Sequence, residues 1–352
     1  MPYEILTMDV VMKRIRLEFV RGLEIEFIDR DRGVKQILDL AERGTRFPLV
    51  VFGPEGCGKS AWMRQASEIF REFGFDVIYI NPIERRIIAE VGVEDVRKKL
   101  LEIIGEATPD PWARAVYALI MLAQTLLKAG RRRLAILVDE AFHVIGTGRE
   151  AAIYVKGLLG LIEYPPRSYD VIVAVVATSE GVSRREIGRH RWGDLMPMWN
   201  MPKEGFKQLY DQLPGDKPGF EEIWRLAGGN PRILAQLYEE RWNIGKLVGE
   251  LIRERDIRGF MMSLSEDERK LLARAIEDPD ALMCREGISL IDRLVKLNLV
   301  VDNMYERDPW FWIDAPPPEK DPELGIGKEI AWQTPLHREA VKRALSPTFS
   351  PP

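Results

Sequence analysis

The chain has few of the residues that mark a disulfide or metal protein. Its 352 residues include two cysteines, Cys57 and Cys284, and three histidines, His143, His190 and His337, which lie far apart. Two cysteines are too few for a disulfide framework or a zinc ribbon, and scattered histidines argue against a metal cluster. No apolar run approaches the ~20 residues that cross a bilayer; "LAILV" and "VIVAVVA" are of strand length. The stretch "MPYEILTMDVVMKRIRLEF" has charges inside its apolar run, so it does not read as a secretory signal. A cytoplasmic protein with no membrane partner is expected. Net charge is also scarce: 51 basic against 55 acidic residues leave -4, so whole-chain charge gives no signal for polyanion binding.

What is present is a folded chain of ordinary composition, 46% hydrophobic and 30% charged. Its length exceeds one ordinary core and predicts two or three domains. "FPLVVFG", "DVIYIN", "RLAILVDE" and "DVIVAVVATS" are apolar strand candidates, with a fifth in "DLMPMWNM". Helical patterns lie between them, over 59–72, 93–105 and 112–129. Apolar strands alternating with helices predict an α/β fold, a parallel sheet covered on both faces. After about residue 200 only helical segments follow, broken at "GGNPR", where Gly ends one helix and Pro starts the next. From "SLSEDERKLLARAIEDP" a third unit begins, with Ser265 as a helix start. In that unit "VVDNMYERDPWFWID" reads as a hairpin and predicts a winged helix-turn-helix. The expected divisions are 1–201, a sheet core; 202–258, a helical lid; and 259–352, the winged helix.

The strongest motif is "GPEGCGKS": Gly53, Pro54, Glu55, Gly56, Cys57, Gly58, Lys59 and Ser60, with Ala61 continuing the turn. It fits G-x-x-x-x-G-K-[ST] between a predicted strand and a predicted helix. Glycines let backbone N–H groups close round a phosphate, and the helix aims its positive end at the same anion. Lys59 would reach the β- and γ-phosphates and Ser60 would hold Mg²⁺. Cys57 reads as a small loop residue. In "LAILVDEAF", Asp139 ends a strand expected beside the phosphate strand and could hold Mg²⁺, while Glu140 could polarise the attacking water. Thr178 and Ser179 end another strand, and either hydroxyl could meet that water or the γ-phosphate. In "SRREIGRHR", Arg184 or Arg185 is the candidate to reach a γ-phosphate in its own or a neighbouring subunit.

These residues together resemble the archaeal ATPase family of the AAA+/STAND group of P-loop ATPases, over nearly the whole chain. "FIDRDRGVKQILDLAERG" is similar to that family's opening segment; the resemblance implies that Asp29 and Arg30 help enclose the adenine. "GGNPRIL" resembles the Gly-x-Pro-Arg motif, which implies Pro231 on the base and Arg232 as a second sensor at the γ-phosphate. The long stretch from Lys59 to Asp139 departs from the pattern, so no arginine finger is placed by resemblance. The ligands expected are ATP or ADP and Mg²⁺. The expected function is a slow Mg²⁺-dependent ATPase working as a nucleotide-dependent conformational switch through lid and winged helix, with a protein partner or self-association. The alternative is a DNA-associated motor or loader whose winged helix binds duplex DNA. Residues 261–352 carry 12 Lys and Arg against 17 Asp and Glu, which does not favour DNA.

Overall fold

The computed structural model describes residues 13–90, 94–105, 110–179 and 181–346. The first twelve residues, where a secretory signal would begin, lie outside them. A hairpin of β1 (Arg16–Val20) and β2 (Leu23–Glu26) opens the description, followed by α1 (Asp31–Arg43). The central sheet then forms from β3 (Leu49–Phe52), β4 (Asp76–Asn81), β5 (Arg86–Glu90), β6 (Arg133–Asp139), β7 (Val171–Thr178) and β8 (Asp194–Pro197), in the spatial order β5-β4-β6-β7-β3-β8. All pairings are parallel except β4 with β5. The expected parallel sheet therefore carries one antiparallel edge strand. β7 also lies between β3 and β6, so the strand ending in Asp139 is one place removed from the phosphate strand rather than beside it.

Both sheet faces are apolar along the inner strands β4, β6, β7 and β3, which are buried on both sides, whereas the edge strands β5 and β8 are partly exposed. Even-numbered residues such as Val50, Ile78, Ile136 and Ala174 face one layer. That layer is α4 (Pro111–Lys128), the one-turn α5 (Phe142–Ile145) and α6 (Arg149–Glu163), with α3 (Glu94–Gly105) beyond α4. Odd-numbered residues such as Val51, Val77, Leu137 and Val175 face α1 and α2 (Lys59–Glu72). α7 (Gly181–Gly188) follows β7.

The helical remainder comprises α8 (Lys203–Asp211), α9 (Phe220–Ala227), α10 (Pro231–Glu239), α11 (Ile244–Glu254), α12 (Ile257–Met262), α13 (Glu266–Glu277), α14 (Ile288–Lys296) and α15 (Pro335–Leu345). Gly228, in the left-handed region at φ 59°, ends α9, and Asn230 caps α10 with Pro231 at its first turn. Ser265 and Glu268 close a capping box on α13. One apolar cluster runs from Phe206 and Leu234 through Leu272 and Leu294 to Val341. It crosses the expected division at 258/259, because α15 packs on α9, α11 and α12 as well as on α13.

The predicted hairpin near residue 300 does not form as expected. β9 (Val300–Val301) pairs with β10 (Ala331–Trp332), thirty residues on, rather than with the aromatic run. Pro309–Phe311 is a 3-10 turn, where proline has no N–H for a ladder. The residues after it serve the sheet core instead: the Ile313 N–H donates to the Pro197 carbonyl at 2.9 Å, extending the edge at β8. Of the three aromatics, Trp312 is fully buried whereas Trp310 is 68% exposed. No helix among the described residues is long and apolar enough to cross a membrane.

Candidate functional site

β3 and α2 set the loop between them. Gly53 leaves β3 at φ 151°, and a Cβ there would stand 2.0 Å from the Met198 carbonyl oxygen. Gly56, at φ 77°, leaves room for Arg232, whose Cβ would stand 2.3 Å from an added Cβ. Lys59 is buried on the first turn of α2, and its Nζ donates to the carbonyls of Gly53 and Pro54, both at 3.0 Å. Cys57 is buried, its Sγ 3.5 Å from the Met198 carbonyl, which suits a small loop residue.

A cavity of about 670 Å³ opens over this loop, a size that fits a small-molecule ligand. Glu55 to Ala61 form its floor, and Glu140 and Ser179 enter from the ends of β6 and β7. An apolar wall comes from the β1–β2 hairpin and the residues after it, with Leu17, Phe19, Ile25 and Phe27, faced by Met201 and Leu209. Pro231, Arg232 and Ala235 close it from α10; Arg255, Lys296 and Asn298 reach it from beyond.

Asp139 lies just beneath the lining and is wholly buried. Its Oδ2 accepts from the Tyr79 hydroxyl and from Asn81 Nδ2, each at 2.9 Å. Its Oδ1 is buried with no hydrogen-bond partner. Burial, then the neighbouring Glu140 charge, pushes the Asp139 carboxyl up to about 6, while the Ser60 hydroxyl draws it back. An orphaned carboxylate oxygen facing a serine hydroxyl under a phosphate cradle fits Mg²⁺, which shares its shell with phosphate oxygens and water. No group of three or more metal-binding side chains occurs among the described residues.

Glu140 stands at φ 47°, a strained conformation for a residue with a side chain. Its Oε1 accepts from Ser179 Oγ at 2.6 Å and its Oε2 from the Ser179 N–H at 3.2 Å, with His143 Nε2 3.3 Å from Oε2. Burial would raise the carboxyl, but His143, Lys59 and Ser179 outweigh it and hold Glu140 below the usual range.

Glu55 is the most heavily engaged side chain of the loop. Its Oε1 pairs with Arg232 Nη1 at 2.8 Å, and its Oε2 takes Arg255 and, at 3.1 Å, Asn298 Nδ2. Its N–H donates to Gln333 Oε1 at 2.8 Å. Burial works against this carboxylate, yet the two guanidiniums lower its pKa. Asn230 adds a link, donating to the Glu55 carbonyl at 2.8 Å.

The structure thus brings Arg30, Glu55, Gly56, Cys57, Gly58, Lys59, Ser60, Ala61, Glu140, Ser179, Pro231 and Arg232 to one cavity. Gly53 and Pro54 turn their carbonyls to Lys59 instead. Thr178 is buried inside β7, so of the two hydroxyls Ser179 faces the cavity. Arg30 is buried and donates to Cys57 O (2.7 Å), Trp199 O (2.8 Å) and Asp314 Oδ2 (3.0 Å), tying loop to C-terminal region. Asp29 packs behind it against Gly205, with Oδ2 buried and unpartnered. Arg184 and Arg185 do not reach the cavity. Arg184 pairs with Asp302 and stacks 5.0 Å over Phe52, and Arg185 pairs with Asp292 at 2.6 Å.

Comparison with known proteins gives the lineage. A model of ATPase domains predominantly from Archaea matches residues 27–237. The chain belongs to this ATPase family. No curated protein matches. Among solved structures, this family member is similar to the Aeropyrum pernix ORC2 protein in its ADPNP–ADP complexes (13% identity, 90% of this chain and 92% of that chain, TM-score 0.42). It is also similar to AMPPCP-bound DnaA from Aquifex aeolicus (15% identity, 77% and 84%, TM-score 0.38). A third is the Aeropyrum pernix ORC1 protein in complex with DNA (16% identity, 91% and 91%, TM-score 0.36). Likenesses at this level say nothing of this chain's residues or activity.

Features in and beneath the cavity that the sequence reading does not single out include the β1–β2 hairpin, Tyr79 with Asn81, His143, and the Arg255–Asn298 group. "RLEFVRGLEIEF" alternates with period two about a Gly and could have been found. Tyr79 and Asn81 sit two apart on one strand face, a weaker signal. Arg255 and Asn298 carry none, since only tertiary packing brings them to Glu55.

Proposed function

We propose that this protein binds ATP with Mg²⁺, hydrolyses it slowly, and uses the cycle to switch the position of its helical region relative to the sheet. The base would lie against the β1–β2 hairpin and Pro231, with Arg30 behind the loop. Lys59 would leave the Gly53 and Pro54 carbonyls for the β- and γ-phosphates. Ser60 and Asp139 would hold Mg²⁺, which when bound supplies positive charge to the phosphate oxygens. Glu140 would accept the proton of the attacking water, with Ser179 beside it.

The observation that carries the switch is Glu55. A carboxylate in the phosphate loop holds Arg232 and Arg255 from the lid and Asn298 from the C-terminal region. A γ-phosphate arriving beside it would compete for the same guanidiniums, giving the differential contacts that a ligand needs to shift a conformational equilibrium. Because one apolar core joins α8–α15, lid and C-terminal region would move together as one body. The acidic balance of residues 261–352 supports a protein partner over duplex DNA.

The test is ATP turnover with and without duplex DNA, at low and physiological salt, with Glu140→Gln as control. Slow turnover that is indifferent to DNA and absent in Glu140→Gln is expected. Stimulation by DNA that fades as salt rises would replace the switch with a DNA-associated motor.

A further inference from the structure

His143 has no role in the reading above, yet it touches the group that reading makes the base. Glu140 keeps its own N–H on the strand ladder, bonded to the Ala177 carbonyl at 3.0 Å. Its left-handed φ swings the carboxylate off the line of β6 towards the end of β7 and onto the one-turn α5. There Ser179 fixes both oxygens against the sheet, through its hydroxyl on Oε1 and its N–H on Oε2. His143 Nε2 meets Oε2 from the cavity wall. A carboxylate oxygen only accepts, so the histidine nitrogen facing it is the donor.

We propose that His143 is a positioning residue for hydrolysis: its Nε2–H holds Glu140 Oε2 so that the carboxylate presents a lone pair to the attacking water. The inference rests on Glu140 being the base. In the step it serves, a water O–H bond breaks and the proton goes to Glu140. The water oxygen bonds to the γ-phosphorus, and the γ-phosphorus–oxygen bond breaks with its electron pair going to the β-phosphate of ADP. A base must be both ionised and aimed, and a third group that orients it recurs wherever base and nucleophile must be aligned. A purely structural histidine would be enclosed, whereas His143 is 39% exposed in its side chain and lines the cavity.

The experiment measures kcat and the Kd for a fluorescent ATP analogue in the full chain, for wild type, His143→Gln, His143→Leu and Glu140→Gln. Gln keeps an N–H donor; Leu has similar bulk and none. His143→Leu is expected to lower kcat by roughly ten- to a hundredfold with Kd unchanged, and His143→Gln to recover most of the loss. Equal kcat in the two variants, wild-type kcat in His143→Leu, or a parallel loss of nucleotide binding would each overturn the positioning role. Normal turnover by Glu140→Gln would overturn the base assignment and this inference with it. An inactive Glu140→Gln beside an unaffected His143→Leu would overturn this inference alone.

Discussion

A carboxylate in a phosphate loop works against the anion the loop is built to hold, and Glu55 is tolerated because three side chains from elsewhere neutralise and cover it. Glu55→Gln keeps the shape and removes the charge. ATP should then bind more tightly, by roughly tenfold, equivalent to about 1.4 kcal/mol, while the ligand-free protein melts lower. Titration calorimetry and a melting curve check both signs together; weaker ATP binding would mean that Glu55 supports the nucleotide rather than competing with it. Behind Glu55 lies His337, fully buried, with Nδ1 2.8 Å from Thr334 Oγ1. Burial, then the Arg255 charge, depresses its pKa from 6.5 to about 4, with Glu55 opposing and Arg232 assisting. The folded form keeps His337 neutral down to about pH 4, whereas the unfolded chain takes up its proton near 6.5. The unfolded state therefore binds more protons in that window, so stability falls as pH drops from 6.5 to 4, by about 3 kcal/mol at most from this group. In His337→Gln the denaturant midpoint should lose less over the same window than in wild type.

At the scale of elements, the core strands and the helix after the phosphate loop were legible, because period, length and bounding glycines agree. α2 begins and ends where the pattern predicts, at Lys59 and Glu72. β5 was not legible: an edge strand of partly exposed residues has no continuous apolar run. The hairpin near 300 misled because aromatic, β-prone residues were assigned to the nearest strand. Proline at 309 and the attraction of Ile313 and Asp314 to the sheet core overrode that local preference. The break at "GGNPR" was legible as punctuation, but not the second duty of its Asn. Asn230 caps α10 by accepting from the Ile233 N–H at 3.1 Å, and its Nδ2 donates to Glu55 O and Asn200 Oδ1, each at 2.8 Å. Asn230→Ala removes the cap and strands buried acceptors, which should cost about 2–3 kcal/mol. Because α10 carries Pro231 and Arg232, ATP affinity should fall as well. A loss of stability with unchanged ATP binding would separate the cap from the site.

At the scale of the molecule, the division drawn at 201 follows a change from strands to helices, which sequence pattern reports, whereas the one drawn at 258 falls inside α12, and the attachment between units rests on pairings a hundred to nearly three hundred residues apart. Arg184 and Arg185 show why. A cluster of cations reads as a phosphate-binding group until Asp292 and Asp302, over a hundred residues later, are seen to occupy it. Arg184, 6% exposed in its side chain, gives Nη1 to the Asp302 carbonyl at 2.8 Å and Nη2 to its carboxylate, while the opposite carboxylate oxygen takes Arg185. Asp302→Ala would leave a buried guanidinium without its counter-charge, a change that costs about 3 kcal/mol or more. Asp292→Ala removes a pair whose partners are 37% and 48% exposed, for which about 1 kcal/mol at most is expected. If this contact fastens the segment after β9 to the sheet core through α7, Asp302→Ala should also speed proteolytic cleavage near residues 198–202, where the chain passes from sheet to helices, and bound ATP should restore protection. Asp292→Ala should do neither. Equal melting temperatures for the two variants would show that the Asp302 contact is a surface pair like its neighbour, and that the apolar core alone holds the C-terminal helices in place.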